Sequence, residues 1–208
     1  MSQDLTAHYN ELLSENEPFI YNGPNNIFKL GHQRISYWKS VNVYSGSFNP
    51  LHDGHRFIFS CAKTYEMTTS FSTCYEISIN RIGKDHIKLE ELSKRLSQFS
   101  DKDFVLVTNS PRFLSKIADI RRFLDVKPTF HIGHDTALRL IEDVGVSGLG
   151  GLDARFMVYN RLVNGKMNLD QTIFDTTRNF YPGVTVPDNL TVISSTQIRE
   201  KEVVASAV

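Results

Sequence analysis

The sequence predicts an α/β protein whose mostly parallel, doubly wound sheet is covered by helices on both faces. The main observation is that short apolar strand-like runs alternate with helical stretches from residue 41 onward. The chain is also long enough, at 208 residues, to bury a substantial core, and no run approaches the roughly eighteen apolar residues of a membrane span. Ligands of such sheets bind beyond the carboxyl ends of the strands, so the strand-to-helix loops are where chemistry is expected.

Each element follows from its own pattern. Residues 4–14 predict a short helix, which the Pro, Asn and Gly cluster at 18–26 should end, and residues 27–39 predict an irregular strand or hairpin. Strands are predicted at 41–45, 73–79, 104–107, 129–132 and 155–159. Apolar stripes at helical spacing follow the first four of them. The glycine-rich run 145–151 follows a helix instead of a strand, so it predicts a flexible surface loop and not a dinucleotide site.

Composition excludes several classes of protein. The 23 Lys and Arg balance 23 Asp and Glu, which argues against a general binder of nucleic acid or membrane surfaces. Cys61 and Cys74 supply neither a disulfide framework nor a zinc site. The first 19 residues lack the basic and apolar regions of an export signal. We therefore expect a soluble cytoplasmic protein without a nucleic-acid partner, a membrane or a metal site of its own, and a homo-oligomer stays open.

The first strand-to-helix turn has the composition of a phosphate cradle. It reads Gly46-Ser47-Phe48-Asn49-Pro50-Leu51-His52-Asp53-Gly54-His55. Glycine lets the backbone approach a ligand, and the helix that follows offers unpaired N–H groups and a positive dipole end. Two histidines three residues apart can reach one anion from the same helix face, with Gly54 leaving room for a triphosphate. The alternative is a simple turn followed by two solvated histidines.

Two further segments carry polar groups suited to a nucleotide. Near the C-terminus, a helix start is predicted whose hydroxyls cap the backbone N–H groups while an arginine one turn later adds a fork of donors: Ser194, Ser195, Thr196 and Arg199. After the fourth strand, Gly133 and Asp135 precede another helix. A capped surface helix and a capping Asp are the alternative interpretations.

These motifs carry a family resemblance. Gly46-x-Phe48-x-Pro50-x-His52-x-Gly54-His55 resembles the GxFxPxHxGH signature of nucleotidyltransferases, and Ile193-Ser194-Ser195-Thr196-Gln197-Ile198-Arg199 and Gly133-His134-Asp135-Thr136 resemble their ISSTxIR and GxDT elements. The chain is most similar to small adenylyltransferase-like proteins of fungi and bacteria, from about residue 41 to 199 and including the segment 95–99. The resemblance implies the Rossmann-like fold of that superfamily, also called adenine nucleotide alpha hydrolase-like. It divides the chain into an N-terminal extension packed on the core (1–40), a nucleotidyltransferase domain (41–201) and a tail (202–208).

The resemblance also implies a reaction, the transfer of AMP from ATP to nicotinamide or nicotinate mononucleotide, which yields NAD or its acid form and pyrophosphate. His52 and His55 would contact the α and β phosphates, and Ser194, Thr196 and Arg199 the β and γ phosphates. Asp135 would help to place the nucleotide, and Mg2+ would arrive bound to ATP. Backbone and side chains of Gly46, Ser47, Phe48 and Asn49 would complete the nucleotide site.

The acceptor is less defined by the sequence. Thr108, Asn109 and Arg112 follow the third strand, where related enzymes tend to hold the pyridine ring, and Asn suits a carboxamide while Arg suits a carboxylate. Lys84 lies in a loop one residue longer than usual, so a solvated lysine is an equal alternative. A phosphopantetheine adenylyltransferase, a cytidylyltransferase and a non-catalytic nucleotide sensor stay open. The string His131-Ile132-Gly133-His134 follows the wrong strand for a class I aminoacyl-tRNA synthetase.

Overall fold

The computed structural model describes residues 3–30, 38, 40–64, 71–160, 162–163, 166–167, 179–183, 185–187 and 190. The helices in this part of the chain are α1 (Gln3–Glu15), α2 (Asp53–Thr64), α3 (Leu89–Leu96), α4 (Phe113–Leu124) and α5 (His134–Leu149). The strands are β1 (Phe19–Tyr21), β2 (Ile27–Lys29), β3 (Ser40–Ser45), β4 (Phe71–Ser78), β5 (Phe104–Thr108), β6 (Pro128–Gly133), β7 (Arg155–Tyr159), β8 (Leu162–Val163), β9 (Lys166–Met167) and β10 (Phe180–Pro182). All five strands predicted from residue 41 onward are confirmed, within two residues at each end.

The order in which successive strands are added to the sheet reverses at its centre, between β3 and β6. Its order is β10-β7-β6-β3-β4-β5-β1-β2, and every pair from β10 to β5 is parallel. The chain runs outward from β3 to β5 on one side and then from β6 to β7 on the other. The crevice beyond the carboxyl ends of β3 and β6 is therefore the topological switch point, where doubly wound sheets bind ligands.

Both faces of the sheet are buried, as the doubly wound fold predicts. Along β7, Phe156 and Val158 pack with α4 and α5, while Met157 and Tyr159 pack on the opposite face with α1, α2 and α3. This alternation follows from the period of two along a strand. The α/β, Rossmann-like class is confirmed, and no helix in the described ranges is long and apolar enough to cross a membrane.

The N-terminal residues add to the sheet. β1 pairs antiparallel with β5 and with β2, so residues 19–29 form a hairpin at the sheet edge. Leu5, Tyr9 and Leu12 of α1 are buried, and the Tyr9 hydroxyl donates to the Ile87 carbonyl at 2.8 Å. The predicted helix is confirmed, while β1 lies inside the cluster where only a break was predicted.

The glycine-rich run corrects one prediction. The helical backbone breaks at Gly145, where φ is 70°, but helix resumes and continues to Leu149. Leu149 is buried in the core. The prediction of a flexible loop over 145–151 is therefore wrong, because packing of an apolar side chain outweighs the low helix propensity of the glycines.

Candidate active site

The loop after β3 folds back on its own phenylalanine. Gly46 N–H donates to the Glu76 carbonyl at 3.1 Å, which keeps the loop beside β4. Phe48 has a positive φ of 44° and a fully buried ring, and the Asn49–Pro50 peptide is cis. A Cβ on residue 46 would lie 2.7 Å from two atoms of that ring. Glycine is therefore needed at position 46 because the Phe48 ring occupies the space of a side chain.

Helix α3 holds this loop in place. Arg95 Nη1 donates to the Ser47 carbonyl at 2.8 Å, and Arg95 is also paired with Glu91. The Gln98 amide donates to the Phe48 carbonyl at 3.0 Å and accepts from Leu51 N–H at 2.8 Å. Sequence reasoning gave Arg95 and Gln98 no role, although both lie in the segment 95–99 that carries part of the resemblance. These contacts fix the backbone that precedes the two histidines.

The two histidines form a stacked pair at the start of α2. Their ring centroids are 3.6 Å apart and the planes differ by 27°. The backbone N–H of His52 donates to His55 Nδ1 at 3.3 Å. The proton of a neutral His55 therefore lies on Nε2, which makes that atom a hydrogen-bond donor. The His55 ring also packs edge-on against Phe48 at 5.1 Å, so the buried ring beneath the loop sets its position.

Gly54 is closely surrounded by other groups of the protein. A Cβ at this buried residue would lie 3.1 Å from the Leu190 carbonyl oxygen and 3.2 Å from two atoms of the His52 ring. The space is taken by protein groups, so close packing explains the glycine without invoking a triphosphate. Leu190 stands three residues before Ile193, and its contact brings the chain that leads to the second motif against the first.

The predicted residues of the second motif lie outside the described residues: Ser194, Ser195, Thr196 and Arg199. The third motif follows β6, the strand next to β3. Gly133 is the N-cap residue of α5, and the helix start has no side-chain capping bond. Asp135 is exposed in the first turn of α5, whose N-cap residue is Gly133. Its carboxylate lies at the same sheet edge as the histidine loop.

A cavity of about 210 Å³ opens at this edge. Its walls come from the loops after β3, β4 and β5 and from the first turns of α4 and α5. The described residues that line it are Ser45, Gly46, Ser47, Ser78, Asn80, Arg81, Arg95, Pro111, Phe113, Lys116 and Thr136. Three of them are cationic and none is Asp or Glu, which suits an anionic ligand.

The predicted acceptor residues lie around this cavity without lining it. Thr108 is buried and its hydroxyl donates to Glu76 Oε1 at 2.7 Å. Asn109 is half-buried at the end of β5, with a buried Oδ1 that has no partner in the described part of the chain. Lys84 is exposed. Arg112 is half-exposed and pairs with Asp143 at 3.1 Å, because its position at the start of α4 directs it toward α5.

Lys116 was missed by the sequence reasoning. Its Nζ lies 2.5 Å from Glu76 Oε2, and the two side chains are 9% and 0% exposed. Lys116 was hidden in the sequence because it is a polar residue within the stripe of an amphipathic helix. What distinguishes Lys116 is its contact with the buried carboxylate of Glu76. The two residues are 40 positions apart in the sequence, so only the folded structure shows this contact.

Other ionisable groups near the sheet edge are structural. His131 is fully buried between the Tyr159 hydroxyl at 2.8 Å and Asn42 Oδ1 at 3.2 Å, and burial lowers the pKa of His131 to about 3. His131 is therefore a neutral core residue without a phosphate-binding role. Burial also raises the pKa of Asp119, which accepts from the Ser110 hydroxyl. Across the described ranges, no group of three or more His, Cys, Asp or Glu is placed to hold a metal ion.

Solved structures share this architecture. Nicotinic acid mononucleotide adenylyltransferase of Plasmodium falciparum complexed with NaAD matches with a TM-score of 0.56 and 18% identity, covering 78% of this chain and 83% of that one. The same protein complexed with APC matches with a TM-score of 0.53, 17% identity and the same coverage. The chain therefore shares the Rossmann-like fold of these structures. No protein-family model matches the sequence, and no curated protein is significantly similar to it.

Proposed function

We propose that this protein transfers AMP from ATP to a pyridine mononucleotide, nicotinamide or nicotinate mononucleotide, and releases pyrophosphate. The observation that carries the proposal is the stacked pair His52 and His55 at the carboxyl end of the central strand. The pair stands at a helix N-terminus beside a cavity lined by cations. The fold shared with an adenylyltransferase that was solved with NaAD adds support. We also propose a cytoplasmic location.

The reaction needs alignment more than acid–base chemistry. An oxygen of the acceptor phosphate attacks the α-phosphorus of ATP, the new P–O bond forms, and the bond to the β-bridging oxygen breaks with pyrophosphate as the leaving group. The acceptor phosphate is already ionised, so no general base is required. His52 and His55 would donate to the α and β phosphates, where charge develops in the transition state. The anchored backbone of Ser47 and Phe48 would hold that geometry.

The remaining roles extend from the motifs. Ser194, Ser195, Thr196 and Arg199 would hold the departing β and γ phosphates, and the contact of Leu190 with Gly54 supports their approach to the histidines. Gly133 and exposed Asp135 would meet the ribose of ATP. Imidazole, arginine and backbone N–H donors suit phosphate oxygens, whereas Mg2+ prefers oxygen ligands. The ion would therefore enter bound to the triphosphate and neutralise part of its charge.

A substrate panel tests the proposal. The protein is incubated with ATP or CTP, Mg2+ and each of nicotinamide mononucleotide, nicotinate mononucleotide and phosphopantetheine, and pyrophosphate and product mass are measured. We expect a dinucleotide from ATP and a pyridine mononucleotide. Product from CTP alone indicates a cytidylyltransferase, and product with phosphopantetheine alone indicates that acceptor. Binding of ATP by calorimetry without any product indicates a nucleotide sensor.

The histidine pair is tested by His55→Ala. Turnover should fall about 100- to 1000-fold, the usual cost of removing one donor to transition-state charge. The KM for the mononucleotide should change little, because we propose that the acceptor binds in the neighbouring cavity. His8→Ala on α1, a histidine that is paired with Asp4, packs against Phe19 and lies outside the histidine loop, is the matched control. Near wild-type turnover in His55→Ala would remove the histidines from the mechanism.

A further inference from the structure

Lys116 stands out among the groups that line the cavity. It is buried, and within the described residues Glu76 Oε2 is the one hydrogen-bond acceptor of its ammonium group. An ammonium group carries three N–H donors, so two have no acceptor among the residues that the structure describes. The other contact of Nζ is the Phe113 ring, whose centroid is 5.6 Å away. A buried cation with unused donors on a cavity wall indicates a ligand with oxygen acceptors.

A second unsatisfied group lies next to it. Ser45 Oγ is buried, lines the same cavity and has no hydrogen-bond partner in the described part of the chain. Ser45 and Glu76 are paired residues of β3 and β4, so their side chains project from the same face of the sheet. Lys116 of α4 donates a hydrogen bond to the same Glu76. The two groups therefore flank one carboxylate and offer donors to the same space.

The chemistry of the cavity favours an anionic group over a carboxamide. A carboxamide presents one acceptor and an NH2 donor, whereas a carboxylate presents acceptors only. The described lining residues include no Asp or Glu, and both oxygens of Glu76 are already bonded, to Thr108 and Lys116. The side-chain acceptors that the lining offers to an amide are neutral, namely Asn80 and hydroxyl oxygens, whereas its charged groups are all cations that suit a carboxylate. Asn109 could accept from an amide, but it does not line the cavity.

We infer that Lys116, with Ser45, recognises the carboxylate of nicotinate mononucleotide and makes the acid form the preferred acceptor. This inference rests on the proposed function. Pro111 and Phe113 supply an apolar and aromatic wall beside Lys116 for the pyridine ring. Arg112, the residue the sequence suggested for this purpose, is engaged with Asp143. Lys116, one turn later on the same helix, takes over the recognition of the carboxylate while Glu76 fixes its position.

The test compares both acceptors in variants that keep the core electrically balanced. Lys116→Met alone leaves Glu76 buried with the Thr108 hydroxyl as a donor but without its cationic partner, which destabilises a protein strongly. The double variant Glu76→Gln/Lys116→Met removes both charges together, and Ser45→Ala removes one hydroxyl without leaving a charge. The surface pair Lys29 and Glu11, 3.2 Å apart, supplies the matched control Glu11→Gln/Lys29→Met. KM and kcat are measured for nicotinate and nicotinamide mononucleotide at saturating ATP.

The wild type should prefer the acid. In the double variant the KM for nicotinate mononucleotide should rise about 10- to 100-fold, the loss expected for a hydrogen bond between charged groups. The KM for nicotinamide mononucleotide should change less than about threefold, and Ser45→Ala should reduce the acid preference by a smaller factor. Equal losses for both acceptors would assign Lys116 to the shared phosphate and overturn the inference, as would a wild-type preference for the amide.

A binding experiment separates the two proposals. If the wild type makes no dinucleotide from either acceptor, the proposed function fails. Calorimetric titration of nicotinate and nicotinamide mononucleotide into the wild type and the double variant then still decides the role of Lys116. Acid-selective binding that the double variant loses supports it, and unselective or absent binding overturns it.

Discussion

Replacing Gly46 by alanine tests whether the histidine loop depends on the ring beneath it. The added Cβ would lie 2.7 Å from two atoms of the Phe48 ring. Carbon atoms in ordinary contact are about 3.5 to 4.0 Å apart, so the ring must move by roughly 1 Å. It has no free space, because the rings of Tyr44, Tyr75 and Phe99 surround it at 5.2 to 5.7 Å and it is fully buried.

The expected magnitude follows from overpacking. Such a change in a full core costs about 1 to 3 kcal/mol, which for a domain of this size lowers the Tm by roughly 2 to 12 °C. Turnover should be affected more strongly than stability. Phe48 contacts His55, and a shift of about 1 Å in an aligned site lowers turnover by roughly 100-fold. Affinity for the mononucleotide should change much less.

A double-mutant cycle supplies the assay. Chemical unfolding and turnover are measured for Gly46→Ala, Phe48→Leu and the double variant, with Gly150→Ala as a control. A Cβ at Gly150 has its nearest neighbour at 3.9 Å, so that substitution should be neutral. The smaller Leu should absorb much of the cost of Gly46→Ala. Additivity within about 0.5 kcal/mol would refute the reasoning, because it would mean that the two sites do not interact.

Two further predictions concern the support of the loop and the core. Gln98→Glu keeps the acceptor for Leu51 N–H but loses the donor to the Phe48 carbonyl, so turnover should fall about tenfold with a small change in Tm, and unchanged turnover contradicts it. Burial lowers the pKa of His131 to about 3, so as the pH falls the unfolded chain takes up the proton first. The free energy of unfolding should therefore be highest above about pH 6.5, and it should fall by about 2 kcal/mol between pH 7 and pH 5. Urea unfolding of His131→Gln should lose that dependence, whereas Ile132→Val should lower stability equally at both pH values.

The parallel strands could be predicted from sequence because their burial on both faces leaves continuous apolar runs. The edge strands could not. β1 has three residues and lies among residues typical of turns, and it forms because the edge of β5 supplies hydrogen-bond partners. Such a strand is decided by its neighbour and not by its own propensity. The helix that continues past Gly145 has the same cause, since the packing of Leu149 is a tertiary effect.

The residues of the candidate site likewise fall into two groups, those that a local sequence motif predicts and those that depend on long-range contacts. The histidine pair was visible because both residues and the glycine turn lie within ten consecutive positions. Lys116 was not, since its partner Glu76 is 40 residues away and only the crossover from β5 to β6 brings α4 over β4. Arg112 illustrates the converse, because a residue of suitable chemistry near the right strand turns toward a neighbouring helix. A local motif was enough to find the groups that we propose act on phosphate, whereas the group that we propose selects the acceptor depends on long-range packing.

The balanced charge of the chain acquires a local explanation from these contacts. Two of the three cations that line the cavity are bound to carboxylates that do not line it, Arg95 to Glu91 and Lys116 to Glu76. Each pair contributes nothing to the net charge of zero, yet each carboxylate holds its cation beside the cavity. Fixed donors need little reorganisation when an anion binds, which is the condition for strong electrostatic stabilisation. On the proposed function, a chain without excess charge can thus hold anionic ligands, because two of the cations that line the cavity are held by carboxylates outside its lining.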